Sequence, residues 1–261
     1  MKIGFISDIH EDIIRLRQAI ALLEGRGCDK IVCLGDIVGY SVPYYGFLKS
    51  RSAHDVLKIV RKKCDVVLAG NHDFFAARKL PAYSAEFKYP KNWYRLSYSE
   101  RAKRAKGKLY LYEHDDLSAL LTENEKAYLA RLPEYAVRNF DGLKLFLSHY
   151  SFPDLIGTST FEPSKPVHLR RHFEFANKHG CNISISGHDH AEGLKIISKN
   201  RLKTYTFGKV KLEDGDLWIS GPCVANGKFA NGVMILDTEK MEIVSIPFHS
   251  KKHKVPQWKN L

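Results

Sequence analysis

The sequence predicts an α/β fold whose first half alternates parallel strands with helices and whose last third is built of short antiparallel strands. Three observations carry this. Apolar, strand-like runs (KIGFIS, KIVCL, DVVLA) alternate with helix-periodic stretches at the start of the chain. Two further runs of the same kind, KLFL and NISIS, follow downstream. After residue 190 the pattern changes to short strands separated by turn residues.

Taken in order, KIGFIS leads into a helix from Glu11 to about Gly25, with Ile13, Leu16, Ile20 and Leu23 at helical spacing. Gly25 and Gly27 punctuate the chain before KIVCL. A second helix, Ala53–Lys63, carries Val56, Leu57, Ile59 and Val60 and precedes DVVLA. This βαβαβ order implies parallel strands with right-handed crossovers. From Pro81 to Lys108 no clean period exists, and Tyr83, Phe87, Tyr89, Trp93, Tyr94 and Tyr98 mix with basic residues. Residues 81–120 are expected to form an insertion or cap over a crevice, too short for a core of its own. Its aromatic rings are available either to stack on bases or to pack on the body. Thr122 and Glu125 form a capping box for a helix ending near Leu132-Pro133. Phe152–Pro166 is a loop by composition, followed by a helix over Val167–Lys178 and then NISIS. Beyond residue 190, Asn200, Asp214-Gly215, Asn231-Gly232 and Thr238-Glu239 mark turns between LKIIS, LKTYTFGKVKL, DLWIS, GVMILD and MEIVSIPF, which argues for an antiparallel second sheet.

At 261 residues and 44% hydrophobic content the chain is expected to form a single domain, 1–261, with a large core. No apolar run reaches the roughly 18 residues of a membrane span, and the apolar stretch before Asp8 is too short for a signal peptide. A cytoplasmic protein with no membrane contact and no obligate protein partner is therefore expected. Cys28, Cys33, Cys64, Cys181 and Cys223 are odd in number and lack a CxxC spacing, which excludes a disulfide framework or zinc ribbon. Cys33 and Cys181 read as buried apolar residues. The net charge of +12 is concentrated: residues 88–108 carry +7 and residues 248–261 carry +4. Such patches attract nucleotides or nucleic acid, or serve only as a solvated surface.

The strand-like runs end in Asp8-Ile9-His10, Gly35-Asp36-Ile37-Val38-Gly39, Gly70-Asn71-His72-Asp73, Ser148-His149 and Gly187-His188-Asp189-His190. Strand ends of an open α/β sheet open into one crevice, where such sheets bind ligands. Asp, Asn and His supply the donors that suit two close divalent transition metals, and two such ions clamp an in-line displacement at phosphorus. Alternation along a strand puts Asp8 and His10 on one face, where they can hold a metal. The bland alternative is Asp8 as a helix N-cap beside a solvent-facing His10. Asp36, between glycines that permit close backbone approach, can bridge two cations. Asn71 offers an amide oxygen, and His149, His188 and His190 complete the shells. His72 is expected to stay off the metals and donate a proton to the leaving group. Asp73 is expected to orient that imidazole or to cap the next helix. His168 and His172 stand four apart on a predicted helix, a spacing that can bind metal but is read as surface or packing.

The series D-x-H, GDxxG, GNHD, a downstream strand-end His and GHxH resembles the calcineurin-like metallophosphoesterase superfamily, in its compact prokaryotic branch. The resemblance covers residues 1–190 as motifs. It implies a four-layer αββα sandwich with two mixed β-sheets and the metal site at the strand ends. It implies one metal at Asp8, His10, Asp36 and His190 and a second at Asp36, Asn71, His149 and His188, with Mn²⁺ foremost and Fe, Zn, Ni or Co as alternatives. It also implies His72 as acid or transition-state stabiliser. The chain departs from the family pattern at four places. Glu11-Asp12 follow D-x-H and add negative charge near the mouth of the site. Tyr150 follows His149 and narrows the pocket. Asp189 stands in GHxH, and Ser220-Gly221-Pro222-Cys223 replaces a late turn.

Residues and resemblance together predict a metal-dependent hydrolase of phosphate esters, acting on nucleotide-like or other small diesters or monoesters. The alternatives are a nuclease that uses the basic insertion and a non-catalytic metal-binding scaffold of the same fold.

Overall fold

The computed structural model describes residues 1–254. Its elements begin with β1 (Lys2–Ile6), α1 (Ile13–Gly25), β2 (Lys30–Cys33), β3 (Tyr40–Ser41), α2 (Ala53–Lys63), β4 (Val66–Val67) and α3 (Asn71–Ala76). They continue with α4 (Tyr98–Ala105), β5 (Asp116–Leu117), α5 (Glu123–Arg131), β6 (Tyr135–Phe140), β7 (Leu143–Ser148), α6 (Arg170–Lys178) and β8 (Ile183–Ser186). The last are β9 (Leu194–Ser198), β10 (Leu202–Tyr205), β11 (Gly208–Lys211), β12 (Leu217–Ser220), β13 (Gly232–Asp237) and β14 (Glu242–Pro247).

Alternation along the strands sets the layers, since successive side chains point to opposite faces. In β1 and β13, Ile3, Phe5, Met234 and Leu236 enter one core, whereas Ile6, Val233 and Ile235 enter another. The first core lies between two six-stranded sheets and is completed by Leu145 and Leu147 of β7, Ile183 and Ile185 of β8, and Leu217 and Ile219 of β12. The second is closed by Leu16, Ala19, Ile20 and Leu23 of α1, Val56, Leu57 and Val60 of α2, and Leu129 of α5. On the far side, Phe146 of β7 packs with Ala176 of α6, and Trp218 of β12 packs with Phe173. Helices, sheet, sheet and helix thus form the expected four-layer αββα sandwich.

Both sheets are mixed. The first has the order β11-β14-β13-β1-β2-β4, with β1, β2 and β4 parallel and the rest antiparallel. The second runs β10-β9-β12-β8-β7-β6, with β7, β8 and β12 parallel. The C-terminal strands therefore do not make a sheet of their own. LKTYTFGKVKL breaks at Thr206-Phe207 so that β10 joins one sheet and β11 the other, while β13 enters the first sheet beside β1. Hydrophobic alternation fixes which face of a strand is buried but not its partner, which explains this difference.

Helix boundaries follow the capping residues. The first helix starts at Ile13, with the Asp12 carboxylate accepting the Arg15 N–H, rather than at Glu11. Ser52 caps α2, and Thr122 with Glu125 forms the predicted capping box of α5. The segment expected to be helical from Val167 opens with a 3₁₀ turn, Pro166–Leu169, before α6. Residues 81–120 do carry a small cluster of their own, in which Trp93, Ala105 and Leu109 are buried among Phe87, Tyr89 and Leu111. Phe87, Tyr89 and Trp93 pack edge-to-face on one another, and Tyr83 packs on Tyr135, Phe152 and Phe175. These rings are structural. Among the described residues no helix is long and apolar enough to cross a membrane. Lys259 and the end of the C-terminal basic stretch, 255–261, lie outside the described residues.

Candidate metal centre

Asp8, His10, Asp36, Asn71, His149, His188 and His190 converge where β1, β2, β4, β7 and β8 end. They do so through loop geometry rather than strand alternation. Asp8 (φ 55°), His10 (φ 46°), Asp36 (φ 51°), His188 (φ 65°) and His190 (φ 47°) all adopt the left-handed conformation. Such backbone costs free energy in residues with a side chain and collects at functional sites. It is tolerated most readily by Asp, Asn and His. The glycines have a separate role: a Cβ on Gly70 would sit 2.1 Å from Asp36 Oδ1, and one on Gly187 would sit 2.6 Å from Asp8 Oδ2.

Asp8, His10 and His190 present ligand atoms within 4.8 Å of one another, and so do Asp36, His149 and His188. Asp36 links the two groups, with its Oδ2 3.2 Å from His149 Nε2 and 3.8 Å from His10 Nε2. His190 Nε2 lies 3.1 Å from Asp8 Oδ1, and Asn71 Oδ1 lies 3.1 Å from His188 Nδ1. Backbone groups aim these atoms inward. The Gly39 carbonyl takes His10 Nδ1 at 2.7 Å and the Leu34 carbonyl takes His149 Nδ1 at 3.1 Å, which leaves each Nε2 free to face the carboxylates. The outer oxygens of both carboxylates accept backbone N–H groups, from His188 for Asp8 (3.0 Å) and from His72 for Asp36 (2.9 Å).

The result is a buried convergence of lone pairs. Asp8 and His149 are fully buried, and His10 Nε2 has no hydrogen-bond partner. Asn71 Nδ2 donates to Tyr112 Oη at 2.9 Å while its Oδ1 faces the lone pairs of His188, His149 and Asp36. Reversing the amide would put its N–H groups against those atoms, and a cation among them favours the oxygen-inward orientation. Burial pushes the imidazole of His10 down to about 4 and that of His188 to about 3, so both are neutral donors. Burial opposes ionisation of Asp8 and Asp36 too, but surrounding imidazoles outweigh it and hold both carboxyls below their ordinary range. Burial opposes a charge on His149 and His190 as well, yet Asp36 and Asp8 pull the His149 imidazole up to about 9, and Cys223 and Asp8 raise that of His190, so the carboxylates attract positive charge into the group. Carboxylates, imidazoles and an amide oxygen fit two divalent transition metals.

His72 stands at the edge of this convergence. Its Nδ1 lies 2.6 Å from Asp116 Oδ2, and its ring is 4.5 Å from that of Tyr112. Burial opposes a charge on the ring, yet Asp116 and Asp36 together push its pKa up to about 9. A ring nitrogen also comes within 4.8 Å of His10 and Asp36 atoms. Its partner distinguishes His72: the raised His149 faces the donor carboxylates Asp8 and Asp36, whereas His72 is held by Asp116 outside the donor set. A cavity of about 290 Å³ opens over the group, rimmed by Tyr44, Tyr110, Tyr112 and Phe229.

The calcineurin-like phosphoesterase family model matches residues 1–192, which include the seven converging donors, His72 and Asp116. The chain belongs to the calcineurin-like phosphoesterase family. Members of this family use divalent metals to hydrolyse phosphate esters. A metallophosphoesterase from Sphaerobacter thermophilus superposes with a TM-score of 0.64 at 19% identity, covering 96% of this chain and 89% of that one. A hypothetical protein from Pyrococcus horikoshii gives a TM-score of 0.57 at 14% identity, covering 96% and 88%. In sequence, an uncharacterized protein of Methanocaldococcus jannaschii is 33% identical over 72 residues, 28% of this chain; the chain spans about a quarter (26%) of that relative's length.

Against the family pattern, several expectations need correction. Asp73 does not orient His72. It is fully buried, and its carboxylate accepts the N–H groups of Ile37 (2.9 Å), Val38 (3.1 Å) and Gly70 (3.0 Å), capping α3 and bracing the Asp36 loop. Asp116 takes the orienting role instead. The alternative reading of Asp8 as a helix cap beside an exposed His10 fails, because Asp12 caps the helix and His10 is buried. Glu11 and Asp12 are not at the mouth either. Glu11 is buried, pairs with Arg51 at 3.3 Å and accepts the Gly39 N–H, while Asp12 accepts the Asn226 N–H at 2.9 Å. Tyr150 is buried behind the site, its ring 4.3 Å from that of His188, and is not on the pocket wall. Asp189 does line the cavity, paired to Lys195 at 2.8 Å. Gly221 O accepts the Ala191 N–H, so the Ser220–Cys223 turn braces the GHDH loop. His168 and His172 do not meet a common point: His168 Nδ1 takes the Ser164 N–H, and His172 is fully buried beneath Phe152. Asp116 and Tyr112 carry no motif. The acidic run Glu113-His114-Asp115-Asp116, closing an otherwise basic stretch, is the only signal in the sequence that points to them.

Proposed function

We propose that this chain is a dinuclear phosphoesterase acting on small nucleotide-like diesters or monoesters. Asp8, His10, Asp36 and His190 would hold one cation, and Asp36, Asn71, His149 and His188 the other, with Mn²⁺ as the first candidate. When bound, such a pair supplies Lewis acidity at the phosphoryl oxygens and acidifies water for attack at phosphorus. With Nδ1 held by Asp116, His72 would donate the proton on its Nε2 to the leaving oxygen. Asp116 fixes the ring's orientation and tautomer, and Tyr112 fixes the Asn71 amide. Residues 81–120 act as a cap in this reading, since they bring both Asp116 and Tyr112 to the site. The observation that carries the proposal is the pair of buried donor groups sharing Asp36, with an acid-poised His72 at their edge. A retired scaffold would have no use for the buried His72–Asp116 pair. The five cysteines are free thiols, as expected of a protein working in the reducing cytoplasm.

The test is turnover of bis-p-nitrophenyl phosphate and of p-nitrophenyl phosphate by the Mn²⁺-loaded protein, beside His72→Ala. Metal-dependent release of nitrophenol, reduced at least 100-fold in the variant, is the expected result. No turnover of either ester with two metals confirmed bound would overturn it.

A further inference from the structure

A second, larger concavity lies beside the metal centre, and its walls come from segments far apart in the chain. Residues 85–90 and the end of α4 with its following turn, 103–108, form one side, and residues 159–161 with Arg171 of α6 form the other. The groove has a volume of about 980 Å³. Lys88, Lys103, Arg104, Lys108 and Arg171 all line it and all are solvent-exposed. Its one carboxylate, Glu86, is paired to Arg171 at 2.6 Å. Lys88, Lys103, Arg104 and Lys108 enter no ion pair among the described residues. Four unneutralised cations along one groove repel each other, and a string of phosphates relieves that repulsion while releasing its counterions.

The groove is physically joined to the metal pocket. The segment 107–112 lies against 158–160, with Thr160 N–H donating to Lys108 O and Tyr110 N–H donating to Thr158 O, both at 3.0 Å. Gly107 and Lys108 face the groove, whereas Tyr110 and Tyr112 line the metal pocket. Lys108, on the groove, and Tyr110, on the pocket, are two residues apart in the chain, so at about 3.3 Å per residue at most about 7 Å separates them. Tyr110, on the segment that joins the two, is 54% exposed at the pocket mouth. An exposed ring offers a stacking face only to unpaired bases. A small phosphate ester would occupy the 290 Å³ pocket and leave the groove unused.

We infer that the groove holds the backbone of a single-stranded nucleic acid whose scissile phosphate reaches the metal pocket, with Tyr110 stacking on an intervening base. This inference rests on the phosphoesterase reading for the identity of the pocket. It is tested by equilibrium binding, which does not depend on turnover. Anisotropy of a labelled dT12 is measured with the full-length, Mn²⁺-loaded chain carrying His72→Ala, to prevent cleavage. Four free cations predict a slope of about −2.8 in log K against log salt, at about −0.7 per single-strand contact. Adding K103A/R104A/K108A should bring the slope to about −0.7 and weaken binding at least tenfold at 0.1 M salt. Tyr110→Ala should weaken it about tenfold with little change of slope. K58A/K62A, on α2 at the opposite outer layer, should change neither. A flat salt dependence, or an unchanged slope in the triple variant, overturns the inference. So does displacement of dT12 by inorganic polyphosphate or a phosphoserine peptide of equal charge at equal concentration, combined with no effect of Tyr110→Ala.

Discussion

Lowering the pH should destabilise this fold through His172, by an amount that follows from where the ring sits. His172 is fully buried in α6, its ring 5.5 Å from that of Phe146. Nδ1 accepts the Phe152 N–H at 2.9 Å, and Nε2 has no partner. A second proton would have to go on the nitrogen that already accepts, so burial pushes the pKa down from 6.5 to about 3. The folded state therefore keeps the ring neutral while the unfolded chain takes up a proton below pH 6.5. Stability due to His172 is complete above that pH and is lost as pH falls towards 3. At about 1.36 kcal/mol per pH unit, the loss between pH 7.5 and 4.5 is about 2–3 kcal/mol. That is a large share of the roughly 5–15 kcal/mol of a typical domain. The comparison variant is His172→Asn, whose amide oxygen can still accept from Phe152 but does not titrate. Urea unfolding followed by tryptophan fluorescence at both pH values gives the stability change for each protein. The wild type should lose about 2–3 kcal/mol more than the variant. Parallel losses in the two proteins, within about 0.5 kcal/mol, would refute the assignment of the acid sensitivity to this ring.

Two further outcomes concern the metal centre. Asp116→Asn leaves the metal donors untouched but removes the charge that holds a proton on His72, so kcat on bis-p-nitrophenyl phosphate should fall about 10–100-fold with KM and bound metal unchanged. Metal content by elemental analysis beside the kinetics checks this, and loss of metal would show that Asp116 serves the donors instead. Gly157 has φ +79°, and a Cβ there would sit 2.4 Å from His188 Cε1. Gly157→Ala should displace that imidazole and lower affinity for one of the two cations about 10–100-fold, seen by calorimetric titration as one weakened and one retained site.

The legible part of this molecule is the part written in local sequence. Each strand end that carries Asp8, Asp36, Asn71, His149 or His188 announces itself by a polar cluster after an apolar run. The Thr122–Glu125 capping box marks its helix within a residue. What escaped is set by contacts distant in sequence. Asp116 reaches His72 across 44 residues, and Asp73 is drawn away from His72 by N–H groups 35 and 36 residues earlier. Glu11 looks like a surface acid until Arg51 and Gly39 enclose it. Likewise the strands after residue 190 show their buried faces in sequence but not which sheet receives them.

The placement of β13 at the centre of the first sheet has a consequence for the order of events during synthesis. β1 leaves the ribosome first but has only β2 to pair with until residues 232–237 emerge and occupy its other edge. The loop that carries Asp8 waits as well, since Ser7 O and Asp8 O accept the Val224 and Ala225 N–H groups. The family motifs end by residue 192, yet the donors they encode cannot be locked in place until the last fifth of the described chain arrives. A nascent chain stalled before that point would present β1 as an open edge, ready to pair with a neighbour.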